Sequence, residues 1–329
     1  MTEHKYYGHG KLLLTGEYFV LDGAKSLALP TKQGQSLNIS YRPSANPTLI
    51  WKSYNADNKI WYETRFEMWH INCIAENADD PTTLILQKIL RQARKQNIHF
   101  LREECDIYVH TYLEFDKTWG LGSSSTLVYN IAQWAYVSPF ELLAKTFEGS
   151  GYDIACAQSV GPITYQLVDK TPQWKDVKFH PVFHENIYFV HLNKKQNSRE
   201  GIEHYRKLDI QDRQKIIKDI SFLTEHLIDA ITVNEFQKLM DQHEKIISKA
   251  IDLPLVSHTH FVGFSGAVKS LGAWGGDFVM LCSSESPEYV FEYCQNKGLK
   301  QVVKYSDMIL NSSVVPHFQK TMGGQCQSL

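Results

Sequence analysis

Three observations predict an α+β fold in two domains for this 329-residue chain. The length exceeds that of a usual single domain. The stretch from Leu12 to Met68 reads as a succession of short strands, and the second half sets two long amphipathic helices between strands. With 43% hydrophobic residues, the chain can bury a substantial core.

The strand-rich opening comprises KLLLTGEY, SLNISYR, TLIWKSY and IWYETRFEM, and NADNK marks a hairpin turn between the last two. Asp80 and Pro81 then make a helix cap and first turn. Ile85, Leu86, Ile89, Leu90 and Ala93 form an apolar face as far as about Gln96. CDIYVHTYL returns to strand. A glycine and serine loop leads into a helix through about Tyr136, another helix starts at Pro139, a third near Tyr152, and PITYQLV is a strand.

Beyond Asp169 the composition turns polar, with Pro172 and Pro181 in an expected connecting stretch. The domain boundary is expected between about 170 and 185, giving domains 1–175 and 176–329. The second half opens on strand NIYFVHL. Its first long helix presents Ile216, Ile220, Leu223, Leu227 and Ile231 on one face, and its second runs from about Asn234 to Ala250. Strands DFVMLCS and KQVVKY complete it.

The charge balance is nearly even, 34 basic against 36 acidic residues, with no sustained basic stripe. This argues against a nucleic-acid or anionic-membrane surface and favours a small-molecule partner. The N-terminus lacks the apolar core of a signal peptide and no apolar run is long enough to span a bilayer, so a cytoplasmic protein is expected. Cys73, Cys105, Cys156, Cys282, Cys294 and Cys326 include no CxxC pair, which suggests neither a disulfide framework nor a zinc site. His258 and His260 stand close in sequence but lack further ligands nearby.

The segment from Trp119 to Ala135, WGLGSSSTLVYNIAQWA, carries the most chemistry. Gly120 and Gly122 allow a tight turn and close approach to an anion, and the amides of Ser123, Ser124 and Ser125 open a helix at its positive end. Such a turn also closes ordinary helix connections. A Walker loop needs lysine and Ser or Thr after its second glycine, and a dinucleotide fingerprint needs glycine where Ser125 stands. Both are absent.

Two further segments bear on the loop: GKLLLTGEYFVLDGAKSLALPT, from Gly10, and EGSGYDIACAQ, from Glu148. Together with GLGSSS and KSLGAWGGDFVML, from Lys269, they resemble in sequence order the motifs of the GHMP kinases, closest to mevalonate and phosphomevalonate kinases. The resemblance implies an N-terminal domain of the ribosomal-protein type that binds ATP and a ferredoxin-like C-terminal domain, with ATP and substrate between them. It implies that Gly120, Leu121, Gly122, Ser123, Ser124 and Ser125 form the ATP loop, with Ser124 on Mg²⁺. Asp153 would take the substrate hydroxyl's proton, and Lys11 would stabilise that aspartate or the ionised hydroxyl. Glu17 would support the loop or the metal. Ser198 and Arg199, in KKQNSR from Lys194, and Gly275 and Gly276 would face the substrate.

Each residue has a plainer reading. Ser124 fits a helix cap, Asp153 a first-turn helix acid, Lys11 a surface lysine at a strand start, and KKQNSR an exposed turn. Two positions depart from the pattern. Leu142 stands where mevalonate kinases carry a metal-binding glutamate, and Trp274 where the family has glycine. The expectation is an ATP- and Mg²⁺-dependent kinase that transfers the γ-phosphoryl group to an alcohol or phosphate acceptor of the mevalonate or phosphomevalonate type. The two departures motivate the alternative of a nucleotide- or metabolite-binding homologue without turnover, and an enzyme resembling diphosphomevalonate decarboxylase, on the same scaffold, is a third reading.

Overall fold

The computed structural model describes residues 3–194 and 198–311, apart from the side chains of 198 and 199. The N-terminal part contains β1 (Glu3–Leu13), β2 (Ser26–Pro43), β3 (Thr48–Tyr54), β4 (Ile60–Glu67), α1 (Pro81–Gln96), β5 (Cys105–Leu113), α2 (Ser123–Ala135), α3 (Pro139–Thr146), α4 (Tyr152–Gln158), β6 (Ile163–Val168) and β7 (Thr171–Asp176). Its seven strands form one sheet in the order β4-β3-β5-β2-β6-β7, with β1 paired to β2. Only β3 and β5 run parallel within it. Alternation along β5 buries Ile107, Val109, Thr111 and Leu113 on one face, against which α1, α2 and α3 pack.

The C-terminal part contains β8 (Ile187–His191), α5 (Ser198–Lys207), α6 (Arg213–Asp229), α7 (Val233–Ile251), α8 (Val256–Thr259), β9 (Ala267–Ser270), β10 (Phe278–Cys282), α9 (Pro287–Asn296), β11 (Val302–Lys304) and α10 (Tyr305–Met308). Its antiparallel sheet has the order β11-β8-β10-β9. Strand, helices, two strands, helix, strand, in that order, is the ferredoxin-like arrangement. The molecule is therefore α+β with two sheets, and a continuous apolar cluster links Leu12, Leu29 and Leu121 to Phe189, Phe236 and Met280.

Local signals account for most elements. Asp80 caps α1 by accepting from the amides of Thr82 and Thr83, and Pro81 fits the first turn, whose amides need no intrahelical acceptor. Ser138 caps α3 in the same way. Other expectations need correction. The first strand begins at Glu3 and stops at Leu13, and TGEY becomes a turn leading to a 3₁₀ turn at Phe19–Asp22. The polar stretch after Asp169 is strand β7, an exposed sheet edge that carries no apolar signal of its own. Ile231 lies beyond α6 and is exposed, whereas Ile217 takes the buried position. Among the described residues no helix is long and apolar enough to cross a membrane.

Candidate active site

A pocket of about 880 Å³ gathers the end of β1, the glycine and serine loop, the loop before α4, helix α5 and the segment between β9 and β10. Strand β1 supplies Lys11. A bulge in the pairing of β1 with β2 lies between His9 and Lys11, and bulges redirect the side chains that follow them. The Lys11 amide donates to the Leu121 carbonyl at 3.0 Å, and its Nζ donates to the Gly120 carbonyl at 2.8 Å. The same ammonium lies 5.6 Å from the centre of the Tyr152 ring. Burial alone would lower its pKa, but Tyr152, Asp153 and Asp277 together hold it above the ordinary lysine value. Lys11 thus places a cation in the pocket wall.

Gly120 and Gly122 have φ of 67° and 90°, left-handed backbone in which a side chain is strained. They also lack room for one. A Cβ on Gly120 would fall 2.1 Å from Asp277 Oδ2, and one on Gly122 would meet Lys11 Cγ at 3.1 Å. Gly122 is the N-cap of α2 and offers no capping side chain. The amides of Ser123, Ser124 and Ser125 consequently have no acceptor among the described residues, where they meet the positive end of a 13-residue helix. Such an end binds phosphate.

Asp153 sits in the first turn of α4, one residue after Tyr152. Its Oδ2 accepts from the Ser125 hydroxyl and its Oδ1 from the Ile154 amide at 3.0 Å. The preceding loop is held by Tyr165, whose hydroxyl donates to the Ser150 carbonyl. Burial pushes the Tyr152 phenol upward, opposed by Lys11. Lys11, the loop and Asp153 therefore share one pocket, through the pairs Lys11 with Gly120 and Ser125 with Asp153.

Other expected residues are placed differently. Glu17 does not line the pocket. It is fully buried and ion-paired with Lys269 at 2.5 Å, so its carboxylate is turned from any metal beside the loop. Ser124 is exposed on the pocket rim. Leu121 is buried core, contributing only its carbonyl. Gly275 and Gly276 form the turn into β10, and the pocket wall is instead Gly272, Ala273 and Asp277. Asp277 was hidden in the sequence at the end of a glycine motif. Ser198 and Arg199 begin α5, but their side chains lie outside the described residues, as do Lys195, Gln196 and Asn197. The cation that α5 places on the pocket is Arg206, 3.5 Å from Glu148.

The two departures do not reach the pocket. Leu142 is fully buried in the core between the first sheet and α1–α3. Trp274 packs with Tyr18, Phe19 and Tyr205, and its indole donates to the Pro254 carbonyl at 2.9 Å. Neither His258 nor His260 joins a group of metal-capable side chains. Among the described residues that group is Glu17, His243 and Glu244.

The sequence matches no protein-family model and no curated protein. Solved structures do match the fold. Methanococcus jannaschii mevalonate kinase superposes with a TM-score of 0.70 at 14% identity, covering 94% of this chain and 99% of that one. Streptococcus pneumoniae phosphomevalonate kinase, in complex with phosphomevalonate and AMPPNP, gives 0.67 at 15%, covering 92% and 100%. Lactococcus lactis galactokinase complexed with galactose gives 0.62 at 12%, covering 94% and 95%. The fold is that of the GHMP kinases.

Proposed function

We propose that this chain, with its GHMP kinase fold, is an ATP-dependent kinase of a small alcohol or phosphate acceptor, of the mevalonate or phosphomevalonate type. The observation that carries this reading is the convergence of Lys11, the uncapped start of α2 and Asp153 on one pocket. Phosphoryl transfer asks a protein mainly for positioning and charge neutralisation. These residues are suited to both.

The residues present fit a triphosphate and a magnesium ion. The Ser123–Ser125 amides and the Lys11 ammonium would hold phosphate oxygens. The Ser124 hydroxyl and the carboxylates of Asp153 and Asp277 are oxygen donors of the kind Mg²⁺ prefers. When bound, the ion supplies charge neutralisation at the phosphates. With an alcohol acceptor, Asp153 accepts the hydroxyl proton, and Ser125 and the Ile154 amide fix its orientation. Lys11 stabilises the negative charge that develops on the acceptor oxygen.

Leu13, Val20, Leu21, Ile202 and Ala273 are among the residues that line the pocket, and an acceptor with an apolar body suits them. Arg206 on the rim suits an anionic end.

The test is ADP release by wild type and Asp153→Asn against mevalonate, phosphomevalonate, homoserine and galactose. Turnover of a mevalonate-type acceptor is expected, with kcat lowered on the order of 10²- to 10⁴-fold in Asp153→Asn. Nucleotide binding without turnover of any acceptor would favour a binding protein, CO₂ release a decarboxylase. No nucleotide binding would end the kinase reading.

A further inference from the structure

Four ionisable side chains meet in the interior beside the pocket without lining it. The Lys269 ammonium of β9 lies 2.5 Å from Glu17 Oε1 and 3.3 Å from Glu244 Oε1, and it donates to the Ser270 carbonyl at 3.1 Å. His243 of α7 accepts the Gly16 amide at Nε2, 3.1 Å away, and the same nitrogen is 3.6 Å from Glu17 Oε2. None of the four is more than slightly exposed. Glu17, His243 and Glu244 have the composition of a cation site, and the Lys269 ammonium takes the cation's place among them.

Taking such charges out of water is costly, and well-packed apolar residues of similar volume commonly serve stability as well or better. Stability alone does not account for this cluster. Glu17 Oε2, Glu244 Oε2 and His243 Nδ1 have no hydrogen-bond partner among the described residues, so both carboxylates depend on the one Lys269 ammonium, while His243 is held by the Gly16 amide.

The connections of the cluster explain its position. Glu17 stands between Gly16 at φ 86° and Tyr18 at φ 60°. For a bulky residue such as Tyr18 this backbone is strained, and it persists only when surrounding contacts over-determine it. Those contacts are visible. The Tyr18 hydroxyl accepts the Trp274 amide at 3.1 Å, its ring stacks on Tyr205 with centres 5.5 Å apart, and its neighbour Glu17 is bound to Lys269. Tyr18 itself lines the pocket.

On the other side, Lys269 enters the segment that forms the opposite wall. Gly272 and Ala273 face the pocket, and Asp277 rests on Gly120 of the phosphate loop. One ammonium therefore ties the loop bearing Tyr18 to the segment touching the phosphate loop, and α7 steadies it with a second carboxylate.

We propose that Glu17, Lys269 and Glu244 are positioning residues of the transfer site, holding the Tyr18 loop and the Gly272 to Asp277 segment in register so that acceptor and phosphate loop stay aligned. The kinetic consequence rests on the phosphotransfer reading. The structural consequence rests on the geometry alone.

The experiment compares full-length wild type, Lys269→Arg and the charge-matched double variant Glu17→Gln/Lys269→Met. It measures thermal unfolding, hydrogen exchange of peptides spanning 12–24 and 268–278, and steady-state ADP release. The double variant is expected to unfold cooperatively, to exchange about tenfold faster in both peptides, and to lose about 10²-fold in kcat. Its KM for ATP should stay within about threefold, because the Ser123–Ser125 amides are untouched. Lys269→Arg, which keeps a cation, should recover part of the rate.

Unchanged exchange in a folded double variant overturns the proposal, and so does unchanged kcat. If the double variant does not fold, Glu244→Gln removes only the second anchor and is judged by the same measurements. A wild type that turns over no acceptor defeats the phosphotransfer reading instead, and hydrogen exchange then decides the proposal alone.

Discussion

Lys11 is bound to Gly120 by its side chain, at 2.8 Å, while its own amide holds the next residue of the loop, Leu121, at 3.0 Å. A lysine ammonium has three donors, and Gly120 engages one, while the Tyr152 ring lies 5.6 Å away. The bulge before Lys11 and this double attachment set the cation against the loop before any ligand arrives.

Lys11→Met should lower kcat by about 10²- to 10³-fold, the range seen when one preorganised charge-stabilising donor is lost. The charge on Lys11 persists below its raised pKa and disappears only as pH climbs through it. Wild type should therefore show no lysine-type loss of rate between neutral pH and the ordinary lysine value. ADP release at saturating substrate checks both points, and a Met variant that keeps a tenth of the rate would remove Lys11 from the chemistry.

Gly122→Ala forces a Cβ into left-handed backbone and against the Lys11 stem. That strain is on the order of 1–2 kcal/mol, so AMPPNP affinity should weaken about tenfold. Calorimetric titration measures it. Undiminished affinity would mean that the nucleotide does not use this loop.

Trp274→Ala should act on stability. Its indole is packed in a core cluster and hydrogen-bonded to Pro254, so truncation should cost about 3–5 kcal/mol in urea unfolding. The amide that holds Tyr18 is retained. An unchanged denaturation midpoint with a changed acceptor KM would instead make Trp274 a pocket residue.

Burial, opposed by Lys269 and reinforced by Glu17, raises the Glu244 carboxyl to about 7. Glu17, Lys269 and His243 are the charged or titratable groups facing it from the first loop, from β9 and from its own helix. A carboxyl raised in the folded state binds a proton that the unfolded chain releases near pH 4.5. Its contribution is full below that value and is lost as pH rises toward 7. Glu244→Gln should flatten this loss, whose slope is at most about 1.4 kcal/mol per pH unit. Urea unfolding at pH 5 and pH 7.5 compares the two proteins, and parallel pH responses would contradict the assignment.

Elements with local signals were legible. Asp80 and Pro81 announced α1, and the alternation of CDIYVHTYL announced β5. Elements defined by their neighbours were not. TPQWKD is polar because β7 is an exposed edge, and SREGIEHYRK hides α5 behind charge and a glycine that packs on Tyr18. At the candidate site, motif order pointed to Lys11, the loop and Asp153, and the structure sets them in one pocket. The pairing of Glu17 with Lys269 spans 252 residues, and no local pattern in either segment marks it. The glycines of GAWGGD drew attention from Asp277, although its carboxylate is the part that meets the glycine and serine loop at Gly120.

The choice of glycine at the start of α2 has a consequence for the protein's lifetime. A serine or aspartate there would satisfy one of the first-turn amides at about 1 kcal/mol over an alanine cap, whereas Gly122 leaves them for an outside anion. On the proposed function, a bound nucleotide would supply part of the fold's durability. At ligand concentrations well above Kd, each further tenfold adds about 1.4 kcal/mol to unfolding. A cell depleted of nucleotide would hold the same chain closer to its unfolding threshold, so abundance as well as activity would follow the energy supply.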